Sequence, residues 1–272
     1  MTNPESRQPR MIRIALVVLS IAPASALAHN GSHAEDPNLH VDPTVKECEV
    51  RFDARLTQEA FRRFAREFGS VSAFKQGAAP NTLGKWHVSV GLEYMSFGVE
   101  EKADAWNDTF VPDKTHELGS RQAFPKFKVR LGVTDDTDLG IYFTRNPESN
   151  YGWIGFDVRH ALLKQGTEMP VTLSLRGAYT KTLFVSDMDM HALSAGASVG
   201  RTFWNVVTPY FGVGADAVLA RETASTVDLR TEATFSPHAF AGVEVAFWHL
   251  ALGVEAQLAG NPSAQAQVSV VF

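Results

Sequence analysis

The run SDMDMH places Asp187, Asp189 and His191 at alternate positions. On a β-strand that spacing sets all three side chains on one face, and a carboxylate beside an imidazole is the minimal pair for activating water. A hydrolase of this kind also needs acidic groups facing the pair across a cleft. The sequence offers Asp136 and Asp138, on a turn that the strand count places at the opposite end of the fold. Serines and the remaining histidines have no adjacent acidic orienter. Arg159 and His160 are chain neighbours on a strand and so point to opposite faces. Glycine-rich phosphate loops, CxxC pairs and HExxH are absent. The expectation is a non-enzymatic protein without cofactor, bound metal or catalytic residues; a protease or lipid hydrolase is the alternative that the Asp-His pair keeps open.

Composition narrows the setting. The chain has 272 residues, a single cysteine (Cys48) and a formal charge of -5 from 25 basic and 30 acidic residues. A lone cysteine excludes a disulfide framework and a multi-thiolate zinc site, and the acidic balance gives no footprint for nucleic acid. No stretch approaches the roughly 18 consecutive apolar residues of a spanning helix, so a membrane protein here must be a β-barrel.

The N-terminus reads as an export signal. Arg7, Arg10 and Arg13 flank an apolar run from Ile14 to Ala22, and Ala26-Leu27-Ala28 supplies the small residues of a cleavage site before His29, with Met11 as an alternative start. Residues 29–50 are polar, and the spacing of His29, His33 and His40 fits no defined metal site. From 53 to 68 the pattern changes: Leu56, Phe61, Phe64 and Phe68 form the stripe of an amphipathic helix, with Gly69 placed to end it. The domain reading is thus a signal peptide over 1–28, a periplasmic lead over 29–83 and a barrel over 84–272. Its stripe needs the barrel lumen or rim or another periplasmic protein as partner surface, and the helix is expected to dock on or in the periplasmic mouth of the barrel, as a plug of the lumen or as an interaction arm for a periplasmic partner.

From Gly84 the period switches to two. In KWHVSVGLEYMSF, Trp86, Val88, Val90, Leu92 and Tyr94 alternate with His87, Ser89, Gly91 and Glu93. Residues 126–134 and 139–144 follow, joined by Asp135-Asp136-Thr137 as a tight hairpin. Seven more strands are expected at 153–163, 170–184, 190–203, 207–221, 235–247, 249–260 and 263–272. If the first strand starts from the periplasm, the long connections 98–123 and 222–234 fall outside and the short turns inside. Trp86, Phe203, Trp204, Phe247, Trp248 and Phe272 would form one aromatic girdle, and Tyr94, Phe97, Phe143, Tyr151, Trp153 and Phe184 the other.

On KWHVSVGLEY, KFKVRLGVTDDTDLGIYF, TPYFGVGA and the terminal VSVVF, residues 84–272 resemble the small outer-membrane β-barrel proteins of Gram-negative bacteria, in particular a poorly characterised group with a helical lead. The resemblance implies an all-β, up-and-down antiparallel transmembrane barrel of about ten strands in the outer membrane. The partners expected are membrane lipids and lipopolysaccharide, and the barrel assembly machinery through Phe272. It implies no substrate. The Asp-x-His pair is similar to half of the omptin protease site, whose other half, a facing Asp-x-Asp, is missing here.

Inside such a barrel Glu93, Asp157, Asp216, Glu244 and Glu255 would share the lumen with Lys128, Arg130, Arg159 and Arg176. Ser174, Ala178, Ser194, Gly196, Ser198, Gly200, Gly212, Gly214 and Gly242 lie among them and add little bulk. Ten strands with so many small residues are expected to leave free volume. Two readings follow, a narrow porin-like pore for small solutes and a closed structural barrel. The soluble alternative, a periplasmic barrel around a small ligand, would reverse the faces and set these charges outside.

Overall fold

The computed structural model describes residues 49–73, 75–100, 102–111, 120–146 and 149–272, so the expected export signal over 1–28 and the part of the expected lead over 29–48 lie outside the described residues. In chain order the elements are β1 (Glu49–Val50), α1 (Gln58–Ser72), β2 (Val88–Gly98), α2 (Asp104–Asn107), β3 (Phe110–Val111), β4 (Arg121–Gly132), β5 (Thr137–Arg145), β6 (Gly152–Leu163), β7 (Thr172–Leu183), β8 (Met188–Gly200), β9 (Val207–Glu222), β10 (Glu232–Phe247), β11 (Leu250–Leu258) and β12 (Ser263–Val271). β1 and β3 pair with each other. The other ten strands form one closed barrel in which each strand from β4 on pairs with the one before it, and β12 returns to β2 through Val270↔Val90 and Val268↔Leu92. The ten strands expected from the alternation are all present. β4 starts five residues earlier than the reading, and Pro125 within it pairs with Tyr94.

Alternation fixes the faces. Leu139, Ile141 and Phe143 on β5 are exposed, whereas Asp138 and Tyr142, which alternate with them, are buried. The same holds around the sheet: Leu92, Phe156, Leu193, Phe211 and Val254 are exposed outside, while Glu93, Asp157 and Arg159 are buried inside. In water such an apolar belt would be an association hazard; in lipid it is the contact surface. The soluble alternative, with its apolar face inward, is overturned by this arrangement.

The connections differ at the two ends. Segments 133–136, 164–171, 201–206 and 248–249, with the chain end Phe272, lie at the end where β2 begins. Segments 99–120, 146–151, 184–187, 223–231 and 259–262 lie at the other, which we call the loop end. At the turn end, Trp86, Phe203, Trp204, Phe247, Trp248 and Phe272 are all exposed. Trp204 and Asn205 both take positive φ (52° and 58°), the geometry of a two-residue hairpin turn that bulky side chains disfavour. That cost is offset when the indole reaches the membrane–water interface. Also at this end, Lys164 bonds Asp136 at 2.7 Å and holds its carboxyl below the usual range. The loop-end girdle is only half as expected. Phe143 and Phe184 are exposed and Tyr94 partly so, but Phe97, Tyr151 and Trp153 turn inward and are buried.

The reason for that reversal is the helix. α1 spans Gln58–Ser72, not 53–68. Asp53 instead accepts from the Arg55 backbone N–H (2.9 Å) in a local turn, and Thr57 becomes the N-cap, its hydroxyl accepting from Ala60 N–H at 3.2 Å. Gly69 does not end the helix. A Cβ there would stand 2.5 Å from Cγ1 of Val218 on β9, so this glycine lets the helix lie against the barrel wall. Phe61, Phe64 and Phe68 are fully buried with Trp106, Phe110, Tyr151, Trp153, Met188 and Met190 in one cluster inside the loop-end half. Phe64 and Phe68 stack at 5.0 Å, and Phe68 meets Tyr151 at 5.4 Å and Trp153 at 5.5 Å. Each such ring contributes roughly 1.5–3 kcal/mol on burial. The helix is therefore inside the barrel, in the lumen that was one of the surfaces expected for its stripe, but at the end opposite to the mouth where β2 begins and not at that mouth.

Candidate functional site

The barrel interior below the helix is the site. Ser72 ends α1 with its carbonyl accepting from the Tyr142 hydroxyl at 2.9 Å. Residues 75–83 then run without regular secondary structure through the lumen to the turn end. Within it the Gln76 side-chain amide donates to the Ala78 carbonyl at 3.0 Å, but such a segment has no backbone ladder of its own, and buried peptide groups left unpaired are costly. Barrel side chains take that role, carboxylates accepting from N–H groups and cations donating to carbonyls.

The ladder can be followed downward. Lys75 pairs with Asp216 at 3.5 Å, and Asp216 also meets His238 Nδ1 at 3.3 Å. Gln76 donates its amide to Ser198 Oγ (2.8 Å), and its carbonyl accepts from Lys128 Nζ (3.4 Å). Gly77 N–H donates to Glu255 (3.2 Å), and Ala79 N–H to Glu244 (3.2 Å). One guanidinium nitrogen of Arg159 donates to the carbonyls of Ala79 (2.6 Å) and Asn81 (3.1 Å). Asn81 reaches Thr202 at 3.1 Å, and Leu83 N–H donates to Asp138 at 3.0 Å. We call residues 75–83 the strap.

Behind this first layer the charges hold one another. Glu93 sits between Lys128 (2.6 Å) and Lys126 (3.2 Å). Asp157 accepts from Arg176 at 3.1 Å, with Arg130 at 3.9 Å. Glu255 also accepts from Tyr210 (3.0 Å) and Gln265 (2.6 Å). Charges withdrawn from water in this way must be paired or hydrogen-bonded, and the lumen meets that condition in part: these carboxylates have cationic or hydroxyl partners, while Nε and Nη2 of both Arg130 and Arg159 are buried without a hydrogen bond among the described residues.

All nine residues expected to line the lumen, Glu93, Lys128, Arg130, Asp157, Arg159, Arg176, Asp216, Glu244 and Glu255, turn inward. Glu244, Glu255, Lys128, Arg159 and Asp216 bond the strap directly, Glu93 lies against Gly77 with Oε2 2.6 Å from where a Cβ would stand, and Arg130, Asp157 and Arg176 bear on it through neighbours. The free volume expected from the small residues is taken up. Pro80 of the strap lies over Gly200, 2.9 Å from where a Cβ would stand. Phe240 crosses Gly212, His238 crosses Gly214 and Tyr210 crosses Gly242. A cavity of about 70 Å³ beside Arg130, Arg159 and Glu244 and one of about 20 Å³ beside His238 are found in the lumen. Those volumes hold a few waters and no substrate.

Sequence reasoning missed Lys75, Gln76, Lys126, Tyr142, Tyr210 and Asp138 as parts of this site. The available signal was in AFKQGAAPN, a connection nearly free of bulk and charge, as a segment threading a narrow lumen must be.

The hydrolytic constellation does not assemble. Asp189 and His191 do face outward together, with His191 Nε2 3.3 Å from Asp189 and Nδ1 2.6 Å from the Tyr179 hydroxyl. Asp187 leaves that face, because its carboxylate accepts from the backbone N–H of Phe52 at 2.9 Å. Asp136 is on the turn at the opposite end, and Asp138 is buried against the strap.

Apolar belt, closed sheet and charged interior together define an integral outer-membrane β-barrel, the architecture of Gram-negative outer membranes. No protein-family model matches the chain, and no curated protein does. Solved structures with a similar fold include Ail of Yersinia pestis in complex with sucrose octasulfate, with 12% identity, 69% of this chain and 99% of that one covered, and a TM-score of 0.31. The N-terminal barrel of Pseudomonas aeruginosa OprF gives 10%, 70%, 99% and 0.29. The translocator domain of the Neisseria meningitidis autotransporter NalP gives 10%, 76%, 92% and 0.37. Likeness at this level is one of fold alone.

Proposed function

We propose that this protein is a self-sealed outer-membrane barrel, a structural element without catalytic activity, whose lumen serves to hold its own N-terminal segment. The observation that carries the reading is the strap: side chains that an open pore would present to solutes are spent on the backbone of residues 76–83. The partners that fit are membrane lipids and lipopolysaccharide around the apolar belt. The exposed ring of Phe272, at the end of the strand that closes the barrel, suits recognition by the assembly machinery. The apolar stripe of α1 is buried within the barrel, which argues for an intramolecular role in place of a periplasmic partner.

Planar-bilayer recording tests this. The full chain is expected to be electrically silent, and a chain lacking residues 49–83, checked for barrel folding by heat-modifiable migration, is expected to conduct. Stable channels from the full chain would refute sealing.

A further inference from the structure

The direction in which the chain threads the barrel has a topological consequence. Residues 49–53 sit at the loop end. β1 pairs with β3 inside the 99–120 connection, through Glu49↔Val111 and Val50↔Phe110. Val50 N–H donates to Asn150 (2.8 Å), Phe52 N–H to Asp187 (2.9 Å), and the Phe52 carbonyl accepts from Thr226 (3.2 Å). Three loop-end connections besides 99–120 thus hold this segment. From there the chain descends through α1 and the strap and reaches the turn end at Leu83, next to the start of β2.

We infer that the chain crosses the barrel lengthwise, so that whatever precedes Glu49 is presented on the loop end, which is the cell exterior. This rests on the sealed-barrel reading and goes beyond it. The ladder is closed all the way round, so no seam lets a segment pass sideways. The lumen already holds one pass of chain, with Pro80 against Gly200 and with Glu255, Glu244 and Arg159 closed on its backbone, and the two lumen cavities described among these residues are the size of a few waters, so a second pass back is blocked. Long connections outside and short turns inside give the orientation. On this inference the polar residues 29–48, with His29, His33 and His40, would be displayed to the medium in place of the periplasmic lead expected from the sequence.

The test uses full-length protein in intact cells. An epitope is inserted between Gly31 and Ser32, and in separate chains beside Gly260 at the loop end and beside Gly166 at the turn end, two positions where added bulk meets nothing within 4 Å. Antibody is expected to bind the first two on intact cells and the third only after the outer membrane is permeabilised. If the epitope at Gly31 is reached only after permeabilisation while that at Gly260 is reached without it, the inference fails; if the Gly260 epitope itself needs permeabilisation, the orientation and the inference fail together. In case the insertion disturbs folding, exposed Ala54 at the same mouth is converted by Ala54→Cys in a Cys48→Ser chain. A membrane-impermeant maleimide should label it equally before and after permeabilisation; labelling only afterwards overturns the proposal. Recording the same chains in bilayers separates this failure from a failure of sealing, since an inward-facing N-terminus with a silent barrel would spare the latter.

Discussion

Arg159 shows most directly what the lumen charges do. Its guanidinium is fully buried among Arg130, Arg176, Asp157 and Asp138 and donates to two backbone carbonyls of the strap, Ala79 and Asn81. Removing it strands two buried backbone acceptors. Arg159→Ala is therefore expected to cost about 2–5 kcal/mol, from two acceptors left unpaired at roughly 1–3 kcal/mol each. The measurement is urea unfolding in detergent, and a change below about 1 kcal/mol, the level of an exposed pair, would contradict this role. That Arg159 turns inward was legible, because a period of two assigns every strand residue to a face. Its partners were not, because backbone carbonyls of a segment without periodicity leave no mark in side-chain pattern. For the same reason Asp187 was misplaced: its alternation with Asp189 and His191 was sound as spacing, but a turn residue bonded to Phe52 N–H obeys no strand period.

At the scale of elements, α1 illustrates a different limit. Its apolar stripe was readable from Phe61, Phe64 and Phe68, and the need for an apolar partner surface followed from it. Which surface it covers depends on Phe97, Tyr151 and Trp153 facing inward, and an aromatic near a strand end is equally suited to a girdle or to a core. Gly69 had two readings as well, a C-cap and a close approach, and the contact with Val218 decides for the second. This predicts a compensating pair. Gly69→Ala should destabilise by about 1–3 kcal/mol through overpacking, and Val218→Ala in the same chain should recover most of that loss. Additive losses in the double variant would show that Gly69 and Val218 do not press on each other.

For the molecule as a whole, ten strands, their order and the outward belt were legible because lipid outside and charge inside repeat the same instruction on every strand. The content of the lumen was not, since small inward residues such as Gly200, Gly212 and Gly242 are compatible with an open channel and with a filled one. The difference lies in a connection whose residues look like a linker and act as an extra pass through the barrel. The central claim is that the inward charges exist to hold that pass. Hydrogen exchange of the strap amides in detergent micelles tests it most directly. The amides of Gly77, Ala79 and Leu83, which have no secondary structure to protect them, should exchange as slowly as those of the neighbouring strands, because Glu255, Glu244 and Asp138 hold them. Exchange of these three at the rate of an unstructured chain, with the strands still protected, would contradict the account.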